Sequence, residues 1–161
     1  MSDIDNISPG GTGIERVGQE NFDTFVYLIE KLAEYEKLNP PDEEAKLRLR
    51  GDAFSDNPRY EAYLGTIDGK PAGYITFYFT YSTFMAKPTL YLEDIFVLEE
   101  YRKRGLGKAL FEFCRDVARQ RGCSRMDWTV LTWNEPSIEF YENQGAKRQD
   151  WYLYRLEGDG I

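Results

Sequence analysis

Three observations predict a mixed α/β layer fold. Apolar residues recur at three- and four-residue steps near the start, at Phe22, Phe25, Val26, Ile29, Leu32 and Ala33, which is the spacing of an amphipathic helix. Runs rich in aromatic and β-branched residues follow, Tyr60 to Ile67 and Ala72 to Tyr81, on either side of the turn pair Asp68-Gly69, and predict a hairpin. Helical spacing then returns at Leu106, Leu110, Phe113, Cys114 and Val117, so helices and strands share one layered unit.

Residues 1–13, which include Ser8-Pro9-Gly10-Gly11, are expected to be a flexible leader, and 14–161 a single domain. The first helix stops at Asn39-Pro40-Pro41, because the residue before a proline is pushed out of helical space. Asp42 is placed to cap a second helix, with Glu43 and Glu44 favourable in its first turn. Gly51 and Asn57-Pro58 mark turns. Leu90 to Val97 reads as a third strand, and Gly105 to about Gln120 as a helix that Gly122 ends. Met126 to Leu131 reads as a short strand, Pro136 to Gln144 as a short helix and Trp151 to Leu156 as a last strand, with no internal repeat.

Composition narrows the chemistry. Twenty Lys and Arg stand against 28 Asp and Glu among 161 residues, a net charge of −8. That balance argues against a general nucleic-acid binder and suits a cationic substrate or partner. The chain has no His, which excludes Ser-His and Cys-His nucleophile pairs, His-ligated metals and His bases; no metal site is expected. No apolar run of 18 or more residues predicts a membrane span, and the first residues lack the basic start and apolar stretch of a signal peptide. Cys114 and Cys123 match no metal or redox spacing and read as reduced thiols, so the expected compartment is the cytoplasm.

The segment richest in chemistry runs from Leu92-Glu93-Asp94-Ile95-Phe96-Val97 through Arg102-Lys103-Arg104-Gly105-Leu106-Gly107-Lys108: strand, basic glycine-containing turn, helix start. Such a turn can aim backbone N–H groups and the positive end of a helix at an anion, although a basic helix start on a solvated surface has the same composition. It is neither a Walker loop, which needs Gly at position 102 and Ser or Thr at 109, nor a dinucleotide turn, which needs Gly at 110.

Arg102-x-x-Gly105-x-Gly107 after an acidic-apolar strand resembles the acetyl-CoA pyrophosphate loop of the GNAT superfamily of N-acetyltransferases. Trp133-Asn134-Glu135-Pro136-Ser137, with Phe140-Tyr141 and Gly145-Ala146, is similar to the same superfamily's C-terminal motif. More narrowly, Tyr91 to Val97, Phe79-Thr80-Tyr81 and Gly122-Cys123-Ser124 resemble the spermidine/spermine and thialysine N-acetyltransferase subgroup. The resemblance implies a central, mostly antiparallel twisted sheet flanked by helices. It also implies a strand at Ile95, Phe96 and Val97 that pairs with the pantetheine arm of acetyl-CoA. Arg102, Lys103, Arg104, Gly105, Leu106, Gly107 and Lys108 would hold the pyrophosphate, and Asn134, Ser137 and Tyr141 would contact the cofactor.

The implied catalytic pair is Tyr141 and Glu93. A phenol, with a reference pKa of about 10 against about 8.5 for a thiol, stays protonated until a thiolate forms beside it, so Tyr141 suits the acid role. A core tyrosine beside Phe140 is the plainer alternative. An amine of pKa about 10.4 is mostly ammonium at neutral pH and must lose a proton before it can attack. Without His, carboxylates or tyrosines must take it. Strand alternation is expected to put Glu93 and Asp94 on opposite faces, and Glu93 is chosen as base, a salt bridge being its plain alternative.

On the substrate side the resemblance points to Tyr35, Glu36, Ser82, Phe84, Glu93, Asp127, Trp128 and Thr129. Ser82 stands where polyamine acetylators carry Asp, and Phe84 where the subgroup usually carries Trp. Tyr81-Ser82-Thr83 therefore favours the thialysine branch. The implied activity is acetyl transfer from acetyl-CoA to the primary amine of a small cationic substrate, a lysine-like amine or a polyamine, by direct attack in a ternary complex, and the implied assembly is a homodimer. Protein N-terminal or lysine acetylation, and a non-catalytic acyl-CoA-binding module, are the alternatives.

Overall fold

The computed structural model describes residues 11–161, in two compact units, one ending at Trp128 and the other running from Thr129 to Ile161. The first unit holds five strands in sequential order: β1 (Thr12–Arg16), β2 (Glu61–Ile67), β3 (Lys70–Ser82), β4 (Lys87–Val97) and β5 (Arg125–Asp127). The first three pairings are antiparallel and β4–β5 is parallel, so the mixed α/β fold has the mostly antiparallel sheet expected of it. Asp68 and Gly69 both take positive φ, 52° and 73°, as a two-residue hairpin whose twist matches its strands requires.

Helix α1 (Phe22–Glu36) lays Phe22, Phe25 and Leu28 on one sheet face, against Ala62, Leu64, Tyr74 and Phe96. Helix α2 (Glu43–Ala53) starts at Asp42, whose carboxylate accepts the Ala45 N–H at 2.8 Å, and adds Leu49 and Ala53 to the edge of this core. Helix α3 (Leu106–Gln120) covers the other face, where Phe113 packs 4.6 Å from the Tyr63 ring. It ends at Gly122, φ 67°, where the Cys123 N–H returns to the Ala118 carbonyl at 2.9 Å. No helix among the described residues is long and apolar enough to cross a membrane.

One glycine sets the approach of two central strands. A Cβ on Gly73 would lie 2.3 Å from the Phe96 carbonyl oxygen and 3.2 Å from the Val97 Cα. Gly73→Ala must push β4 away and is expected to destabilise the fold by about 1–3 kcal/mol, the usual cost of overpacking. An unchanged denaturation midpoint would refute this close approach.

Four local expectations change. Thr12 and Gly13, expected in the leader, belong to β1, which pairs Thr12 with Ile67 and Arg16 with Tyr63; residues 1–10 of that leader lie outside the described residues. Gly51 lies inside the last turn of α2 rather than in a turn. The strand expected from Met126 to Leu131 is only Arg125–Asp127, the three residues that find partners on β4. Trp151 to Leu156 form no strand, and Trp151, Tyr152, Leu153, Tyr154 and Leu156 are exposed. A strand-like pattern becomes a strand only where a neighbouring edge supplies paired N–H and C=O groups.

In the second unit, helix α4 (Glu135–Asn143) starts with Pro136 in its first turn, and its N-cap Asn134 accepts the Ser137 N–H at 3.4 Å. It closes at Gly145, φ 85°, with the Ala146 N–H on the Tyr141 carbonyl at 3.1 Å.

Candidate active site

Across β3 and β4, Thr76 lies opposite Asp94 and Phe77 opposite Leu92, so Glu93 is an extra residue in β4. This bulge overturns the expectation that Glu93 and Asp94 point to opposite faces, because alternation fails where one strand carries a residue its partner lacks. Both carboxylates reach the face that carries Tyr74, Thr76 and Tyr78. The Asp94 Oδ2 accepts the Thr76 hydroxyl at 3.2 Å. Glu93 faces Tyr78, whose phenol is pushed up to about 12 by burial and then by the Glu93 charge. The Tyr91 ring lies 5.1 Å from that of Tyr78 and completes an acidic-aromatic surface.

Asp94 is the carboxylate most altered by this setting. Burial, then the charges of Glu93 and Glu36, raise its pKa to about 6, while the Thr76 and Tyr74 hydroxyls that face it oppose the rise. Tyr74 is wholly buried, and its hydroxyl meets no partner in good hydrogen-bond geometry. Burial first, and the nearby Asp94 charge second, hold that phenol well above its ordinary pKa. Glu36 ends α1, and its own carboxyl is raised by burial. A helix C-terminus is already partly negative, so three carboxylates beside it make a place for a cation. Sequence reading missed Asp94, Tyr74 and Thr76; the acidic pair was visible, but nothing local signals the bulge.

The predicted residues Tyr35, Phe96, Val97 and Arg102 do come together. The Arg102 guanidinium lies 4.9 Å from the Tyr35 ring centroid and 5.9 Å from that of Phe96, and its Nε donates to the Val97 carbonyl at 3.0 Å. Arg104 is held by Asp68 at 2.9 Å, so two of the four cations from Arg102 to Lys108 serve the protein's own contacts; Lys103 and Lys108 are exposed. Lys103 and Gly105 take positive φ, 60° and 85°, turning the chain into α3. Buried Leu106 anchors that start, Gly107 lies in its first turn, and no side chain caps it.

Ile95, Phe96 and Val97 pair with Ile75, Tyr74 and Gly73 on one side. On the other side β5 pairs only with Thr89, Leu90 and Tyr91, so among the described residues this part of β4 has an unpaired edge.

The remaining substrate-side residues are dispersed. Ser82 is buried and its Oγ accepts the Met85 N–H at 3.3 Å, so it ties the β3–β4 turn. Fully exposed Phe84 sits in that turn. Ser82 lies five strand steps beyond Phe77, roughly 17 Å at the usual rise, so the fold does not bring Ser82 or Phe84 to Glu93. Asp127 lies beside Tyr91 and pairs with Arg125 at 3.0 Å, and Trp128 packs edge-on against Phe111 with centroids 5.6 Å apart. In the second unit Thr129 is exposed, Asn134 and Ser137 meet at the start of α4, and Tyr141 stands 5.4 Å from the Phe140 ring.

The acetyltransferase (GNAT) family model matches residues 26–146. A thialysine N-epsilon-acetyltransferase of Sus scrofa is 35% identical over 146 residues, covering 83% of this chain and 85% of that protein. An L-ornithine N5-acetyltransferase of Arabidopsis thaliana is 42% identical over 91 residues, covering 56% of this chain and 40% of that protein. Among solved structures, AAC(6')-Iy in complex with the bisubstrate analogue CoA-S-monomethyl-acetylneamine matches with a TM-score of 0.76 at 19% identity, covering 91% of this chain and 98% of that one. This last likeness speaks to fold. The family match spans most of the chain: it is an acetyltransferase and belongs to the GNAT family.

Proposed function

We propose that this acetyltransferase moves the acetyl group of acetyl-CoA to the primary amine of a small, cationic, lysine-like substrate, by direct attack in a ternary complex. The observation that carries the reading is the bulge at Glu93, which gathers a carboxylate-rich face immediately before the unpaired edge of β4. The relatives named for thialysine and ornithine acetylation support an amine with this charge and size.

The residues present fit acetyl-CoA. The free edge at Ile95, Phe96 and Val97 offers main-chain N–H and C=O groups to an extended amide-bearing arm. The uncapped start of α3 offers the amides of Leu106, Gly107 and Lys108, with Lys103 and Lys108 adding charge and Gly105 leaving the approach open, since a Cβ there would meet nothing within 4 Å. Arg102 braces Tyr35 and the end of β4, and Arg104 the turn at Asp68. Asn134 and Ser137 supply further polar contacts at the start of α4. When bound, acetyl-CoA supplies an activated thioester. The chain aligns the amine with it, polarises its carbonyl through strand N–H groups, holds the ammonium with Glu93 and Glu36, and delivers a proton to the departing sulfur from Tyr141. The Ser82–Phe84 turn, remote from Glu93 along the strand, suits a cytoplasmic homodimer in which it reaches the other subunit's amine site. Asp127, Trp128 and Thr129 extend the substrate side.

Thiol release from acetyl-CoA, measured with thialysine, lysine, ornithine, putrescine, spermidine, spermine and short peptides, tests the reading. Saturable release is expected, with thialysine preferred over spermidine, because Ser82 lacks the carboxylate a long polycation would use. Spermidine preferred would overturn the substrate branch, and release with peptides alone would make a protein the acceptor. Tight CoA binding without release to any amine would replace catalysis with acyl-CoA binding.

A further inference from the structure

We propose that Asp94, not Glu93, is the carboxylate that takes the proton from the substrate ammonium, seated by the Thr76 hydroxyl with the buried Tyr74 hydroxyl behind it, while Glu93 draws the ammonium in. The inference rests on the amine-acetylation reading above.

The argument begins with solvation. Glu93 is exposed, whereas Asp94 is partly buried, and its Oδ2 is fixed by the buried Thr76 hydroxyl at 3.2 Å. Behind it the Tyr74 hydroxyl is buried without a partner of good geometry, a costly arrangement unless that group serves the carboxylate it faces. Among the described residues, the groups that act most on Asp94 are Glu93 on its own strand, Thr76 and Tyr74 on β3, and Glu36 at the end of α1. None is a cation. An arriving ammonium therefore supplies the missing positive charge, and a carboxylate short of water binds a proton more readily than one in solvent. The resulting affinity, near pH 6, leaves Asp94 ionised at neutral pH and better matched to proton abstraction than an ordinary carboxylate.

The step balances. The ammonium gives one proton to Asp94; the freed nitrogen lone pair forms the C–N bond as the C–S bond breaks and its electron pair leaves with sulfur. The nitrogen sheds its second proton, sulfur takes one from Tyr141, and Tyr141 recovers one in turn. Asp94 returns its proton to solvent, so each turnover releases one proton overall.

The test is the pH dependence of kcat/KM for thialysine and acetyl-CoA between about pH 5 and 9, in wild type and four variants. Asp94→Asn is expected to lower kcat about 10²–10³-fold and to abolish the acid limb. Glu93→Gln should raise the amine KM and keep the limb, moved to lower pH because the larger of the two like charges beside Asp94 is gone. Thr76→Val, which removes a hydroxyl that favours the charged form, should move the limb to higher pH. Glu36→Gln, which removes a like charge, should move it to lower pH. These two shifts test the assignment even if Asp94→Asn does not fold. Melting supplies a readout apart from activity: the stability of Asp94→Asn relative to wild type should climb from about pH 4 to about pH 6 and then level off. An acid limb retained in Asp94→Asn, lost in Glu93→Gln, or unmoved by Thr76→Val and Glu36→Gln would overturn the assignment while leaving amine acetylation standing. No turnover of any amine by wild type would overturn both.

Discussion

Tyr141→Phe should leave acetyl-CoA affinity within about twofold and lower turnover at least about tenfold, toward the lower end of what general acids contribute. The substitution keeps the ring that packs beside Phe140 and removes one oxygen, so the helix from Glu135 to Asn143 should hold its shape. What is lost is the proton donor for a thiolate leaving group. That group has a reference pKa of about 8.5, low enough to depart unaided at a reduced rate, and this bounds the effect. The defect should shrink with a thioester whose thiol is more acidic, because such a sulfur needs less help. Single-turnover acetylation alongside CoA titration separates the possibilities. Unchanged turnover would return Tyr141 to the plain role of a packed tyrosine, and loss of CoA affinity together with turnover would make it a binding residue.

Elements that announce themselves locally were legible in the sequence. The apolar spacing from Phe22 to Ala33 became α1, Asp42 became an N-cap, and Asp68-Gly69 became a tight hairpin turn, because each depends on residues within one or two turns of itself. β1 was invisible for the opposite reason. Thr12–Arg16 has no alternation and exists through its register with Tyr63 to Ile67. Trp151 to Leu156 err the other way, with a strand-like composition and no ladder.

The site divides along the same line. The basic turn at Gly105 and the carboxylates of β4 could be read directly, but their orientation could not. A bulge is a disagreement between two strands, and Thr76 and Phe77 lie sixteen or so residues from Glu93, so no window around Glu93 contains it. Asp94, Thr76 and Tyr74 become a unit only once that register is known. The consequence is chemical: one inserted residue turns a solvated carboxylate on each face into two carboxylates on one face, the nearer to the core being the one burial changes most.

Gly105→Val should raise the acetyl-CoA dissociation constant at least about tenfold, about 1.4 kcal/mol, with the fold retained. Gly105 has φ 85°, a conformation that costs an L-residue about 1–2 kcal/mol, and a branched side chain there would stand in open space in front of the uncapped start of α3. Strain and obstruction both act, and a control separates them. Gly122, at the other end of the same helix, also has positive φ, 67°, and open space around its Cβ position. Gly122→Val should therefore lower the melting temperature about as much as Gly105→Val while leaving acetyl-CoA affinity unchanged. Gly107→Val, inside the first turn of α3, should weaken binding by adding bulk beside the same amides. Since the loop's Arg102 and Arg104 are engaged by Val97 and Asp68, affinity at this site should depend more on the amides than on those two charges. Calorimetric titration of the three variants with CoA decides the matter. Equal affinities for Gly105→Val and Gly122→Val would show that the turn before α3 does not hold the pyrophosphate.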